Sequence, residues 1–359
     1  MHRRRSDLVA TLLVAACAFT APVAADADQA ERIASSAASR SERLTLFSIS
    51  KYLDATRDPA VLPLLENVMR IQGFSLREED PPRGVVARSI SFAPVLSYDG
   101  NINGGNVNDR FTVGPGIEFV GDPDDSAKAG VVIGAYVAPR VRAVLGRGRY
   151  IDARLGLYGV YAPEYQLTKT SIGGEVCFAN HVEDWRFVDF CLSGRQLDVD
   201  LGRSRDISAT AAHTTLFQAG PADHELTLDA RYTWFDNYEQ PAFGVALRSS
   251  FGAFGATYAG FEIGSAVEGN LALENTATLG LTRDVLGRQV DISLRRAQYD
   301  GSQFFGDPRS DVTWIASLGV EVLDRFTAVA RYTDNNSTID FYDYASFGFG
   351  LEYSGLEIR

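Results

Sequence analysis

An all-β fold, an antiparallel transmembrane β-barrel of about fourteen strands (range about 14–16), is what this sequence predicts. Three observations carry it. From Arg88 onward, apolar and polar residues alternate with period two in one stretch after another. The apolar faces of those stretches hold almost no charge, while arginines and acids gather on the opposite faces. No run of about 18 apolar residues follows the N-terminus, which excludes helical spans from the body of the chain. A soluble sandwich or propeller would also alternate, but it would not need this segregation. A lysine or arginine facing lipid near the midplane costs about 2–4 kcal/mol.

Composition agrees. The 359 residues include 33 Gly, 15 Tyr and 21 Phe, a lean toward β structure. A net charge of −12 argues against nucleic acid as a partner.

The N-terminus sets the compartment. "MHRRRSD" is a basic n-region, "LVATLLVAACAFTAPVA" an apolar core, and "VAADADQA" offers small residues for cleavage after Ala25 or Ala27. Residues 1–27 are therefore expected to be a signal peptide. "VAAC", ending at Cys17, looks like a lipoprotein cleavage box and is the alternative, although apolar sequence continues past Cys17 to a better site.

Residues 28–85 differ from everything after them and are expected to form a short helical periplasmic segment or plug. "ERIASSAASRSERLTLFSISKYLDATRD" and "PAVLPLLENVMRIQGF" read as two helices. Asp58 and Pro59 start the second, and Gly73 ends it. Leu62, Leu65, Met69 and Phe74 make an apolar stripe suited to docking.

The barrel is expected over residues 86–359. "ISFAPVLSY" places Ile90, Phe92, Leu96 and Tyr98 on one face; "ELTLDARYTWF" places Leu226, Leu228, Ala230, Tyr232 and Trp234 on one face. "QVDISLRR", "VTWIASLGVEV" and "RFTAVARYT" repeat the scheme. About fifteen such strands of roughly ten residues can be counted; an even number requires one split or missed strand, most simply between Tyr161 and Ala211. Short turns ("LGR", "LDR") are expected to alternate with long polar loops ("DGSQFFGDPRSD", "TDNNSTIDFYDY"). Aromatics near strand ends (Tyr98, Phe111, Phe119, Tyr161, Trp234, Tyr332) suit interfacial girdles in outer-membrane lipid.

In the closing strand "SFGFGLEYSGLEIR", aromatics face one way and glycines the other. Its Ser346, Gly348, Leu351 and Tyr353 resemble the recognition signal of outer-membrane barrels. That resemblance implies delivery to the β-barrel assembly machinery and residence in the outer membrane of a Gram-negative bacterium. "APVLSYDGNINGG", Ala93–Gly105, resembles the opening of the barrel in the surface lipoprotein assembly modifier family. Members of that family join a periplasmic helical repeat domain to a barrel of about fourteen strands, so this resemblance implies translocation of an exported lipoprotein. The helical segment here has room for about one helical hairpin.

Inward positions carry Arg140, Arg142, Arg154, Arg195, Arg231, Arg248, Arg295 and Arg331. They also carry Glu118, Asp152, Glu175, Asp189, Asp229, Asp291, Glu321 and Glu352. These charges either select a solute or pair across strands to fill a wet lumen. Cys177 and Cys191 lie symmetrically about Asp184, so a hairpin turning at "VEDWR" brings them face to face on the polar side, ready to form a disulfide. Two thiols and His181 do not complete a metal site, and no cofactor is implied. His213 and His224 have no partner at catalytic spacing, His224 falling in the turn "GPADHE"; no enzyme is expected. The remaining readings are a transport or translocation barrel, for a lipoprotein or a small solute, and a shut structural or surface-binding barrel. Helices inside the lumen point to a plug; helices hanging below the mouth point to translocation.

Overall fold

A wall that crosses lipid must satisfy every backbone N–H and C=O within itself, and only a closed sheet does so with strands. The computed structural model describes residues 41–76, 83–108, 110–113, 117–323 and 326–353; the expected signal peptide and Cys17 lie outside them. The strands are β1 (Gly84–Asp99), β2 (Arg110–Val113), β3 (Ile117–Val120), β4 (Gly130–Gly146), β5 (Arg149–Ala162), β6 (Leu167–Glu183), β7 (Arg186–Val199), β8 (Gly202–Ala219), β9 (Ala222–Phe235), β10 (Glu239–Ser250), β11 (Ala256–Gly264), β12 (Ala272–Val285), β13 (Arg288–Phe304), β14 (Asp307–Leu323), β15 (Phe326–Ser337) and β16 (Tyr344–Tyr353).

β1 and β4 to β16 form one closed antiparallel barrel of fourteen strands, each hydrogen-bonded to its sequence neighbours, with β1 joining β4 on one edge and β16 on the other. Closure runs through Val95↔Glu352, Leu96↔Leu351, Ser97↔Gly350 and Tyr98↔Phe349. The strand count is settled between Tyr161 and Ala211, where β6, β7 and β8 run long and meet in two-residue turns. Wall strands have 9 to 18 residues rather than about ten.

Period-two alternation sends Phe243, Leu228, Leu279 and Phe349 outward, and their exposure in the isolated chain, 68% for Phe243, marks the lipid face. The protein is a closed β-barrel with an apolar outer belt, the form of a wall that crosses lipid with strands.

The end at which β1 begins carries tight turns: Arg147–Gly148, Asp184–Trp185, Gly220–Pro221 and Leu286–Gly287. Gly148, Asp184, Gly220, Leu286 and Gly287 take positive φ, the hand that matches strand twist. The opposite end is less loop-rich than expected. "DGSQFFGDPRSD" is mostly strand, with β13 and β14 meeting at Phe305–Gly306. Its polar composition did not keep it from pairing as a hairpin. His224 is on β9, not in a turn.

The long connection from β1 to β4 holds the hairpin β2–β3. Phe111, Phe119 and Glu118 therefore belong to this hairpin and not to the wall. In the same loop Ile102 and Asn103 are fully buried, Ile102 against Val132, Val160 and Ala162. Asn103 Oδ1 accepts from the backbone N–H of Lys128 at 2.9 Å, and its carbonyl accepts from Leu201 N–H at 3.0 Å. The "NIN" run thus folds the loop inward over the barrel end.

Adjacent positions on β12 separate the two faces of the wall. Leu279→Lys, toward lipid, is expected to lower stability by about 2–4 kcal/mol, whereas Thr278→Lys, toward the lumen, changes it by less than about 1 kcal/mol; urea unfolding in lipid vesicles measures both.

Candidate functional site

Two helices fill part of the tight-turn mouth: α1 (Glu42–Thr56) and α2 (Leu62–Ile71). Ser41 caps α1, its Oγ accepting from the N–H groups of Arg43 and Leu44. Arg57, at φ 54°, ends it. Asp58 caps a short 3₁₀ turn, Pro59–Val61, that leads into α2. That turn shifts the phase of the apolar stripe. Val61, Leu65 and Val68 are buried against Leu46 and Ile49, while Leu62, assigned to the stripe from sequence, is exposed.

The other face of α1 meets the wall from inside. Leu44 and Phe47 pack on Phe187 of β7 and Leu216 of β8, with Phe74 and Trp185 at the edge. Phe47 and Trp185 meet edge to face, centroids 4.9 Å apart. Where the chain leaves α2, Gly73 accepts at its carbonyl from Gly148 N–H at 2.9 Å. Gly73 has φ 78°, and a Cβ there would lie 2.9 Å from the Gly146 carbonyl oxygen, so only glycine allows this approach.

Charge fixes the helices in register. Arg43 Nη1 and Nη2 donate in parallel to Asp189 Oδ2 and Oδ1, both at 2.6 Å, and its guanidinium lies 4.3 Å from the Phe187 ring centroid. Glu42 Oε2 accepts from Arg142 Nη1 at 2.5 Å, and Oε1 from Arg140 Nη2 at 2.9 Å. Both arginines also donate to Asp152, which is almost fully buried. Ser41 Oγ donates to Glu225, whose other oxygen accepts from Arg248 Nη1 at 2.9 Å. Gln72 Nε2 donates to the Glu42 carbonyl at 2.8 Å, tying the end of α2 to the start of α1.

Burial alone would raise the Glu42 pKa, but the two guanidinium groups outweigh it and hold the carboxyl below the usual carboxylate range. Burial likewise opposes charge on Arg43, and Asp189 more than offsets it, so this guanidinium holds its proton more tightly than usual.

Register places the remaining charges named from sequence on the lumenal face. Arg231 donates to Glu262, Arg295 Nε to Thr276 Oγ1 at 3.2 Å, and Asp291 accepts from Thr282. Asp229 faces the bare backbone of Gly244. Arg331 and Glu352 line a cavity of about 1000 Å³ along β15, β16 and β1, with Ser346 and Gly348 on the same wall and Leu351 turned outward. Tyr353 pairs with Phe326 at the end of β16. Cys177 and Cys191 are directly opposed on β6 and β7 and form a lumen-facing disulfide. Among the described residues this pair and Glu175 are the one cluster with metal-ligand spacing, and the disulfide occupies its sulfurs.

His181 bonds the Asp184 carbonyl in its turn; His213 faces lipid; His224 stacks on Phe217, with Nδ1 2.7 Å from Ser249 Oγ. Sequence reading did not single out Glu42 or Arg43. The signal was there: adjacent opposite charges behind a capping serine, at the head of an apolar run.

No protein-family model matches the chain, and no curated protein does. Among solved structures it is similar to Pseudomonas aeruginosa OccK10 (OpdN), with 10% identity, TM-score 0.41, and coverage of 77% of this chain and 100% of that one. Pseudomonas aeruginosa OpdO gives 11% identity, TM-score 0.41, and coverage of 77% and 99%. Pseudomonas putida OprB at high pH gives 8%, TM-score 0.42, and coverage of 75% and 94%. None of these supports the likeness of Ala93–Gly105 to surface lipoprotein assembly modifiers; in the structure that stretch is a barrel strand and its latched loop.

Arg43→Ala leaves Asp189 charged and unpaired inside the mouth, at a cost of about 3–5 kcal/mol in docking. Hydrogen exchange of the Leu44–Ile49 amides is expected to accelerate while the Leu226–Leu228 amides of the wall keep their protection. The depressed Glu42 pKa sets a pH window. Its tie is complete above the ordinary glutamate range, about 4.3, and is lost as pH falls through the depressed docked value. Protection factors in α1 should hold from pH 7 to about 5 and fall below about 4, with Glu42→Gln removing that part of the fall.

Proposed function

We propose that the chain is an outer-membrane transport barrel for small polar solutes, held shut at its tight-turn mouth by its own N-terminal helices. The observation that carries this reading is the manner of docking. The helices have a modest apolar seat (Leu44 and Phe47 on Phe187 and Leu216) and a larger set of charged ties to β4, β7 and β9. Buried ion pairs add little net stability relative to apolar packing, yet they specify one arrangement and break when a partner is lost. A permanent stopper has no need of them; a gate does. The lumen beyond the helices supports a conduit as well, since its walls carry charged and hydroxyl side chains and bare glycines.

Single-channel conductance in a planar bilayer tests this, with the intact protein and with a variant lacking residues 28–77. A silent intact protein and a steadily conducting variant are expected. Steady conductance of the intact protein would sink the gate; silence of both would leave a closed structural barrel.

A further inference from the structure

Just beyond the helix pair, the inner faces of β4, β5 and β6 are scooped into a recess of about 620 Å³. Its floor is Gly156 and Gly173; with no Cβ at Gly156 the Tyr136 ring lies over the bare backbone there, its Oη 3.1 Å from where a Cβ would stand. Three guanidinium groups surround it, those of Arg140, Arg154 and Arg195, with Tyr136, Tyr158 and Ser171 between them.

The charges there are arranged at a cost. Arg140 and Arg154 stand directly opposite each other on β4 and β5, an arrangement that destabilises a sheet unless an anion intervenes. Asp152 supplies one carboxylate for Arg140, Arg142 and Arg154 together. Arg154 reaches it only through Nε, at 3.2 Å, so its two terminal amino groups make no hydrogen bond among the described residues, and its side chain is 54% exposed. Arg195 is held by Asp206. Glu175 lines the recess opposite Arg154 in register. Four arginines (Arg140, Arg142, Arg154, Arg195) thus meet four acids (Asp152, Glu175, Asp206, Glu42), and the balance holds only while Glu42, which belongs to the helices and not to the wall, is docked.

We propose that this recess binds a small hydroxylated carboxylate, and that binding loosens the helices by giving Arg140 an alternative partner to Glu42. The carboxylate takes the unpaired fork of Arg154 and the near side of Arg140; the hydroxyls meet Tyr136, Tyr158 and Ser171; the bare backbone at Gly173 lets the body of the solute approach the wall. Arg140 Nη2 is the shared atom, since it already divides itself between Glu42 and Asp152. Solute and helix compete for one guanidinium, so each must weaken the other by the same factor. This rests on the gated-barrel reading above and names its solute and trigger.

The test uses the intact protein in detergent, with gluconate as probe and sorbitol, its uncharged polyol counterpart, at matched ionic strength. Calorimetry reads binding and hydrogen exchange of Leu44–Ile49 reads the helices. Gluconate is expected to bind and to accelerate that exchange by about five- to tenfold, with sorbitol doing neither. Arg154→Gln is expected to weaken gluconate binding by about tenfold or more. Glu42→Gln, which removes the competitor for Arg140, is expected to tighten it by the factor that gluconate adds to exchange. Absence of gluconate binding, or binding equal to that of sorbitol, overturns the site. Binding with unchanged exchange overturns the trigger. Either result leaves the gate standing if the variant lacking residues 28–77 still conducts; a non-conducting variant overturns the gate itself.

Discussion

Hydrocarbon accepts no unpaired backbone and no bare charge, and everything else in this protein follows from that exclusion. Fourteen strands close on one another because an open edge could not survive in lipid. Alternation then leaves the chain one place for its arginines and acids, the interior. A lumen built this way is crowded with like and unlike charges at fixed spacing, and each must find a partner across a strand or along the wall. Most do so locally, as Arg231 does with Glu262 and Arg248 with Glu225. On β4 and β5 the local supply of carboxylates runs short, and the partner is brought from outside the wall, on a helix.

The helix pair is therefore part of the electrostatics of the barrel as much as an object lodged in it. Glu42 completes a cluster in which Arg142 and Asp152 are almost wholly withdrawn from solvent. Arg43 does the same for Asp189 on the neighbouring strand pair. The disulfide two residues along from Asp189 joins β6 to β7 on the same lumenal face, so the strand that grips Arg43 and seats Phe47 is braced to its neighbour. Apolar contact supplies adhesion without direction; the paired charges supply the register that the apolar seat lacks.

Much of this was legible in the sequence because lipid writes a local code. Leu226, Leu228, Ala230, Tyr232 and Trp234 occupy every second position, and no distant contact is needed to read them. The opposed cysteines were legible for a similar reason, since a hairpin places partners symmetrically about its turn. The docking site was not. Arg43 and Asp189 are 146 residues apart, and Glu42 and Arg142 are 100 apart, so neither pair leaves a pattern within any window of sequence. Misread segments have physical causes too. A paired strand can be as polar as a loop, which hid the ends of β13 and β14. One 3₁₀ turn, Pro59–Val61, was enough to rotate the buried face of α2 away from Leu62.

The order of the chain has a consequence for its biogenesis. Residues 41–76 are synthesised before any strand of the wall, yet their seat is assembled from β4, β7, β8, β9 and β10, and Glu225 gains its Arg248 partner only when β10 joins. A segment made before the wall is thus among the last to find its place. Until then Leu44, Phe47, Glu42 and Arg43 have only each other and water, and the growing wall holds an interior whose charges are still unmatched. The same deferral lets the barrel be completed first, and only afterwards receive the helices that dock in its mouth.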